Sequence, residues 1–436
     1  MNKTFKDIGL NKTMQEVVEQ LYFKEPTSIQ AKAIPAILKG ESIIGHSQTG
    51  SGKTHAFLLP LMNNLVDDKD EVQLVITAPT RELAMQLHEE VKTITTLAGK
   101  EDVWSNRLII GGMDRVRMIR QLERKPKIII GTPGRILDMI NEGVLSIYSA
   151  TTFVIDEADL MLDLRFIETI DELLVRSKKD IQILVFSATI PVQLQHFIKK
   201  YLRQPTLIEG ESGLAPASLT HRLVDLKHHK AADKIEAISK VIQPYVAILF
   251  TNSKESADDL TKELKQRGLN VGVLHGGLTS RERTRTVKDI LDLKYEYIVA
   301  TDLASRGIDI KGVSHVINVE LPKETEFYIH RVGRTARAGL EGLAINFYKE
   351  EDIPLIEQLE KRGITFLYSD VKDGEWVEKE RYNQRSLRKN VATKIDKEAW
   401  KRVRKPKKVK PGYKKKMKKE QEKIKRNLQR KKGFRK

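Results

Sequence analysis

Cysteine is missing from all 436 residues. Its absence excludes disulfide staples, thiolate zinc sites and a cysteine nucleophile. Ten histidines are present but scattered, and no pair has a metal-site spacing. No apolar run reaches the ~18 residues of a membrane span. The opening stretch "MNKTFKDIGLNKTMQEV" lacks the apolar segment of a secretion signal. A cytoplasmic protein with no membrane partner is expected.

What the chain does have is length and base. It is too long for one core, so two domains plus an extension are expected, and 40% apolar residues suffice to pack them. Of the 77 Lys and Arg, 20 fall within residues 401–436, beside only 2 of the 59 acids. Subtracting these leaves 57 bases and 57 acids in residues 1–400, so the whole formal charge of +18 sits in the tail. A block of that density marks an arm that meets a polyanion, nucleic acid before an acidic protein or a membrane surface. Aromatics near it are few (Trp400, Tyr413, Phe434), so electrostatics should outweigh base stacking.

Short β-branched runs recur: "ESIIGHS" (41–47), "VQLVITAPT" (72–80), "KIIIGTPG" (127–134), "TFVIDEAD" (152–159) and "QILVFSAT" (182–189). Amphipathic helical patterns such as "RELAMQLHEEVKTI" separate them. Continuous apolar strands alternating with helices predict a doubly wound parallel sheet, with ligands gathered at the strands' carboxyl ends. The stretch "IEGESGLAPASLTH" (208–221) reads as a connection. The alternation then restarts with "YVAILFTNS", "NVGVLHGG", "YEYIVATD", "SHVINVE" and "GLAINFY", and strand signals cease after about residue 370. The basic tail is too polar to fold alone and is expected to be disordered or transiently helical.

"HSQTGSGKTHAF" (46–57) follows an apolar strand and opens a helix, the context of a phosphate-binding loop. Ser47, Gln48, Thr49, Gly50, Ser51 and Gly52 would surround phosphates with backbone N–H groups. Lys53 would reach the β and γ groups, and the Thr54 hydroxyl would ligand Mg²⁺. The strict pattern wants glycine where Ser47 stands. In "FVIDEAD", Asp156 and Glu157 lie just past a strand, placed to hold hydrated Mg²⁺ and to orient the attacking water. Either element alone has an ordinary reading, a Gly-rich turn or an acidic helix cap; together they predict nucleotide hydrolysis.

"DEAD" at Asp156–Asp159 resembles the signature of the DEAD-box RNA helicases, and its companions follow in that family's order over roughly residues 5 to 350. The family's loop takes a small residue at its first position, which Ser47 satisfies. The resemblance implies two tandem RecA-like α/β domains, ATP as nucleotide and RNA as partner. "YFKEPTSIQ" resembles the adenine-reading motif, so Gln30 would pair with the base, Phe23 stack on it and Phe5 complete the pocket. "PTRELA", Gly111–Gly112 and "TPGR" resemble RNA-backbone contacts, assigning Thr80, Arg81, Gly111, Gly112, Thr132 and Arg135. "SAT" resembles the segment coupling hydrolysis to strand separation, through Ser187 and Thr189. In "ATDLASRGIDI", Thr301 would contact RNA and Asp309 the ribose; in "HRVGRTARAG", Arg334 and Arg337 would act as arginine fingers.

Three residues depart from the pattern: Gly277 and Ser280 stand where the family often has Asp and Gln, and Ala336 where it often has Gly, while Arg283 is retained for an RNA or interdomain contact. The expected organisation is a motif segment at 1–33, an ATP-binding domain at 34–208, a linker at 209–220, a second domain at 221–370 and a basic RNA-binding tail at 371–436. The tail is similar to that of cold-shock members of the family. This implies work on mRNA or rRNA structure, with the ribosome or RNA-degradation machinery as possible partners. Competing readings are a DNA motor, an ATP-gated RNA clamp that never unwinds, and a small-molecule kinase.

Overall fold

The computed structural model describes residues 4–47, 50–202, 205–210, 219–227, 229–302, 310, 312–335 and 341–381, with 402–403, 417, 419–424 and 428 beyond them. Gln48, Thr49, Asp309, Arg337, most of the expected linker and most of the basic tail lie outside the described residues.

Two compact units emerge. One comprises Met1–Leu367 with Val371–Glu375 and contains every site residue discussed below; the other comprises Tyr368–Asp370 with Trp376–Lys436. In the second unit, residues 419–424 are helical.

Seven strands form the first sheet: β1 Ile43–His46, β2 Leu74–Thr77, β3 Asn106–Ile109, β4 Ile128–Gly131, β5 Thr152–Ile155, β6 Gln182–Ser187 and β7 Thr206–Glu209. Their order is β3-β4-β2-β5-β6-β1-β7, and all neighbours pair parallel. The inner strands feed both of their faces. Leu74 and Ile76 enter one core cluster while Val75 enters the other. Ile128 and Ile130 likewise oppose Ile129, and Val154 opposes Phe153 and Ile155. This period-2 partition under a covering of helices explains why the strands read as unbroken apolar runs. Each fully buried aliphatic side chain contributes roughly 1.5–3 kcal/mol.

The covering helices are α1 Lys12–Gln20, α2 Ser28–Leu38, α3 Lys53–Asn63, α4 Arg81–Leu97, α5 Arg115–Leu122, α6 Pro133–Asn141, α7 Ala158–Asp163, α8 Ile167–Val175 and α9 Val192–Tyr201. Because the strands run parallel, the turns after β1, β2, β4, β5 and β6 open at one edge. That edge carries the phosphate loop, Thr80, Thr132, Asp156 and Ser187.

A second sheet is built from β8 Leu219–Asp225, β9 Val246–Thr251, β10 Val271–Leu274, β11 Tyr297–Thr301, β12 Val313–Asn318, β13 Gly342–Tyr348, β14 Phe366–Lys372 and β15 Glu375–Glu378. Its order is β10-β11-β9-β12-β13-β8-β14-β15. Helices α10 Ala231–Ser239, α11 Lys254–Gln266 and α12 Ser280–Leu291 flank it, with a further helix at Thr325–Val332. Five strands were not read from sequence. β3 and β7 are only partly buried, β8 alternates with polar residues and begins inside the stretch read as a connection, and β14 and β15 lie around the expected end of strand signals. The last two flank Asp373 and Gly374, both at positive φ, an Asp-Gly pair of the kind that joins hairpin strands.

Candidate nucleotide and RNA site

The phosphate loop is closed by its own small side chains. Ser47 is buried at the end of β1, and its Oγ lies 2.8 Å from Oγ of Ser51. Gly52 caps α3 at φ 91°, and a Cβ there would sit 2.7 Å from Nε2 of Gln30, so glycine is required on both counts. Gly50 also has positive φ. Gln30 is buried and spans two elements: its Nε2 donates to the Gly52 carbonyl at 3.2 Å, and its Oε1 accepts from Thr27 N at 3.0 Å. The amide expected to read adenine therefore braces the phosphate loop here. Phe23, half-buried, stacks on Phe5 at 6.3 Å and meets His55 edge-on at 4.8 Å. Phe5 itself belongs to the core.

Lys53 and Thr54 begin α3, where the helix dipole favours anions. Lys53 is buried, and its Nζ donates to Oε1 of Glu157 at 3.0 Å. Burial alone would lower its pKa, but Glu157, Asp156 and Asp159 hold the ammonium above its ordinary value. Burial pushes Asp156 up to about 7, with Glu157's charge adding and Lys53 opposing. Asp156 Oδ1 accepts from Glu157 N at 3.0 Å. Glu157 adopts the left-handed region at φ 49°, a strained conformation for a side chain of its size. No cluster of three metal-ligating side chains occurs among the described residues. Mg²⁺ at a nucleotide site takes most of its ligands from phosphate and water, with one or two protein oxygens. Asp156, a desolvated carboxylate short of cation, and the Thr54 hydroxyl are the donors that suit it.

Asp159 is the hub. Its Oδ2 accepts from both N and Oγ1 of Thr189 at 3.0 Å, and its N–H donates to Ser187 Oγ at 3.1 Å. Ser187 Oγ in turn donates to the Thr189 carbonyl at 2.6 Å. On the opposite side, His330 Nε2 of the helix Thr325–Val332 lies 3.5 Å from Oδ2. Burial opposes ionisation of Asp159, yet His330, Lys53 and Thr189 together hold it well below the usual carboxylate range.

The same helix carries Arg331, 2% exposed and saturated. Its guanidinium donates to both carboxylate oxygens of Asp302, to Asn318 Oδ1, to Asn252 Oδ1 and to the Glu320 carbonyl, and it lies over the Phe250 ring. Arg331 thereby fixes the helix to the second sheet. Arg334 follows two residues after the helix, buried, with its N–H donating to the Arg331 carbonyl at 3.1 Å.

RNA-assigned residues fall into two cavities. One, of about 580 Å³, is lined by Thr80, Arg81, Gly111, Thr132 and Arg135 of the first sheet's loops together with Leu278 and Arg283 of the second. Thr80 and Thr132 are the N-caps of α4 and α6, so two helix N-termini open toward it. Arg135 Nε is buried without a hydrogen-bond partner, a donor suited to a phosphate oxygen. Arg283 Nε pairs with Glu82 Oε1 across the cavity. Gly112, at positive φ, is exposed beside Gly111. Thr301 instead lines a second cavity of about 540 Å³ with Lys254, Gly276, Gly277, Asp163 and Phe327.

Asp159, His330, Arg331 and Glu82 were given no individual role from the sequence, although all four lie inside the quoted motifs, and Arg283 was read only as an RNA or interdomain contact. What a linear pattern lacks is the partner on the other sheet.

Comparison with known proteins agrees. The family described as DEAD/DEAH box helicase matches residues 27–197, and the helicase conserved C-terminal domain matches residues 233–339. The chain is 49% identical to the DEAD-box ATP-dependent RNA helicase CshB of Bacillus subtilis, covering 95% of each chain. It is 45% identical to CshB of Bacillus cereus, covering 99% of each. Among solved structures it is similar to the DEAD-box helicase Mss116 bound to ssRNA and UDP-BeF, with TM-score 0.76 and 26% identity over 92% of this chain and 86% of that one. It is likewise similar to S. cerevisiae Dbp5 bound to RNA and ADP BeF3, with TM-score 0.73 and 27% identity over 90% of this chain and 99% of that one. A phosphate loop, a buried DEAD carboxylate hub and a second sheet that reaches it thus belong to a member of the DEAD-box family of ATP-dependent RNA helicases, enzymes that hydrolyse ATP.

Proposed function

We propose that this helicase locally separates short RNA duplexes by ATP- and RNA-driven closure of its two sheet domains. The observation that carries the reading is the contact of Asp159, hydrogen-bonded to the SAT segment, with His330 of the second sheet's helix. Lys53, Asp156 and Glu157 lie on one side of this contact and Arg334 on the other; Arg337 is the second arginine finger that the motif implies. ATP and RNA each favour the arrangement in which both halves meet, so each tightens the other's binding reciprocally. A bound strand gripped by Thr80, Arg81, Thr132, Arg135 and Thr301 is held by its backbone, without reading of sequence.

Within the nucleotide site, Gln30 and Phe23 recognise the adenine, Asp309 the ribose, and the loop N–H groups the phosphates. Asp156 and Thr54 would hold Mg²⁺, which supplies neutralisation of phosphate charge. Glu157 orients and deprotonates water, and Arg334 stabilises charge developing on the γ-phosphate. The relatives named CshB match nearly the whole chain, and the tail is similar to that of cold-shock members of the family; both support a role in cold adaptation, mRNA turnover or ribosome assembly, and duplexes grow more stable on cooling.

The test is an ATPase assay with and without single-stranded RNA, paired with release of a labelled strand from a short duplex. Turnover that rises with RNA and accompanies strand release supports the proposal. RNA-independent turnover overturns it, and RNA-dependent ATP binding without strand release makes the protein an ATP-gated clamp.

A further inference from the structure

Asp258, His275 and Gly277 form a hydrogen-bonded relay beside the second cavity. The Gly277 N–H lies 3.0 Å from Nδ1 of His275. A backbone N–H can only donate, so Nδ1 is the unprotonated acceptor. The ring proton then sits on Nε2, 2.9 Å from Oδ1 of Asp258, which accepts it. His275 is 4% exposed and directly follows β10, while Asp258 lies on α11 one turn beyond Lys254. The relay thus ties the 276–277 backbone to that helix.

Packing at Gly277 makes the same point independently. A Cβ there would sit 3.0 Å from His275 Nδ1, 3.1 Å from its Cε1 and 3.3 Å from Cδ of Lys254. Glycine therefore lets the backbone close onto the imidazole, a physical reason for its presence where the family often has aspartate. Gly276, Gly277, Lys254, Asn252 and Thr301 share one cavity wall. Two successive glycines have the greatest backbone freedom to lose, so a group that fixes them in advance lowers the cost of binding whatever enters.

We propose that His275 and Asp258 are positioning residues for RNA: they preset the Gly276–Gly277 backbone beside Lys254 and Thr301 so that this wall receives a strand's sugar-phosphate backbone without reordering. The proposal rests on the RNA-binding reading of Thr301.

The experiment measures ATPase of the full-length protein against single-stranded RNA concentration, at saturating ATP. His275→Ala should raise the half-saturating RNA concentration about tenfold, with kcat at saturating RNA and the KM for ATP within twofold. His275→Asn, whose Oδ1 can accept from Gly277, should recover most of that loss. Asp258→Asn, a substitution at a residue 60% exposed and so unable to unfold the domain, should raise it about threefold. Gly277→Asp should act like His275→Ala. Thr301→Ala in parallel separates the two readings. If it shifts RNA dependence while His275→Ala and Asp258→Asn do not, the relay has no such role. If Thr301→Ala leaves RNA dependence unmoved, the RNA reading of this wall fails. Equal losses of kcat in His275→Ala and His275→Asn, with unchanged RNA dependence, make the relay merely structural and overturn the proposal.

Discussion

His330 and Asp159 face each other from separate sheets, Nε2 to Oδ2 at 3.5 Å. Asp159 already accepts two hydrogen bonds from Thr189, so movement in the SAT segment and movement of the second sheet act on one carboxylate. Removing the imidazole leaves that buried charge less compensated. His330→Ala should lower RNA-stimulated ATPase by roughly 10- to 100-fold, as expected when a charge-assisted interaction is removed. An unchanged RNA-stimulated rate would show that the sheets communicate by another route.

Arg334 stands just past the helix that Arg331 anchors to Asp302. Its proposed partner is charge that develops on the γ-phosphate, not charge present in the ground state. Arg334→Ala should therefore lower kcat by about 10³ or more while ATP affinity stays within a few-fold. A variant that loses ATP binding in step with turnover would place Arg334 in ground-state binding instead.

Glu157 has two demands on it, pairing with Lys53 and orienting water. Glu157→Gln keeps a hydrogen-bond acceptor for Lys53 but removes the base, so single-turnover hydrolysis should fall roughly 10²–10⁴-fold. ATP binding should persist, and the ATP–RNA complex should dissociate more slowly than that of the unsubstituted protein. Rapid RNA release from the variant with ATP bound would contradict the coupling.

Much of this was legible in one dimension because the physics is local. Runs such as "IIIG" (128–131) are apolar on every residue since both sheet faces are covered. Glycines at 50 and 52 appear where backbone must take positive φ. What remained hidden depends on partners distant in sequence. Arg331 reads as one more base in an arginine-rich motif, yet it is more buried than Arg334 and spends its donors on Asp302, Asn252, Asn318 and the Glu320 carbonyl. Glu82 reads as a first-turn acid of α4; its partner Arg283 is some two hundred residues away. The two sheet-edge strands β3 and β7 were missed because partial exposure erases the pattern that marks their neighbours.

The tail's charge makes a separate prediction. Deleting residues 401–436 removes 20 bases and 2 acids. The salt slope of single-strand affinity falls by about 0.7 log unit for each phosphate the protein no longer neutralises. RNA binding should therefore weaken and its salt dependence flatten, with RNA-free ATPase preserved. Unchanged affinity and slope on titration across salt concentrations would remove the tail from RNA binding.

His221 links the fold's acid stability to the helix that carries His330. It is buried on β8, and its Nδ1 lies 2.7 Å from the Tyr328 hydroxyl. Burial holds that phenol far above its ordinary range, so Tyr328 donates and His221 accepts as the neutral ring. Burial lowers His221 from 6.5 to about 4. The unfolded chain therefore takes up a proton near pH 6.5 that the folded chain refuses until about pH 4. Stability contributed by neutral His221 is present above pH 6.5 and is lost as pH falls toward 4, by up to about 3 kcal/mol. His221→Gln cannot charge in this window, so its stability should depend less steeply on pH between 6.5 and 4, even where it is lower at about pH 7. Urea midpoints of the two proteins at about pH 7 and about pH 5 supply the comparison; parallel losses in both would place the acid-sensitive group elsewhere.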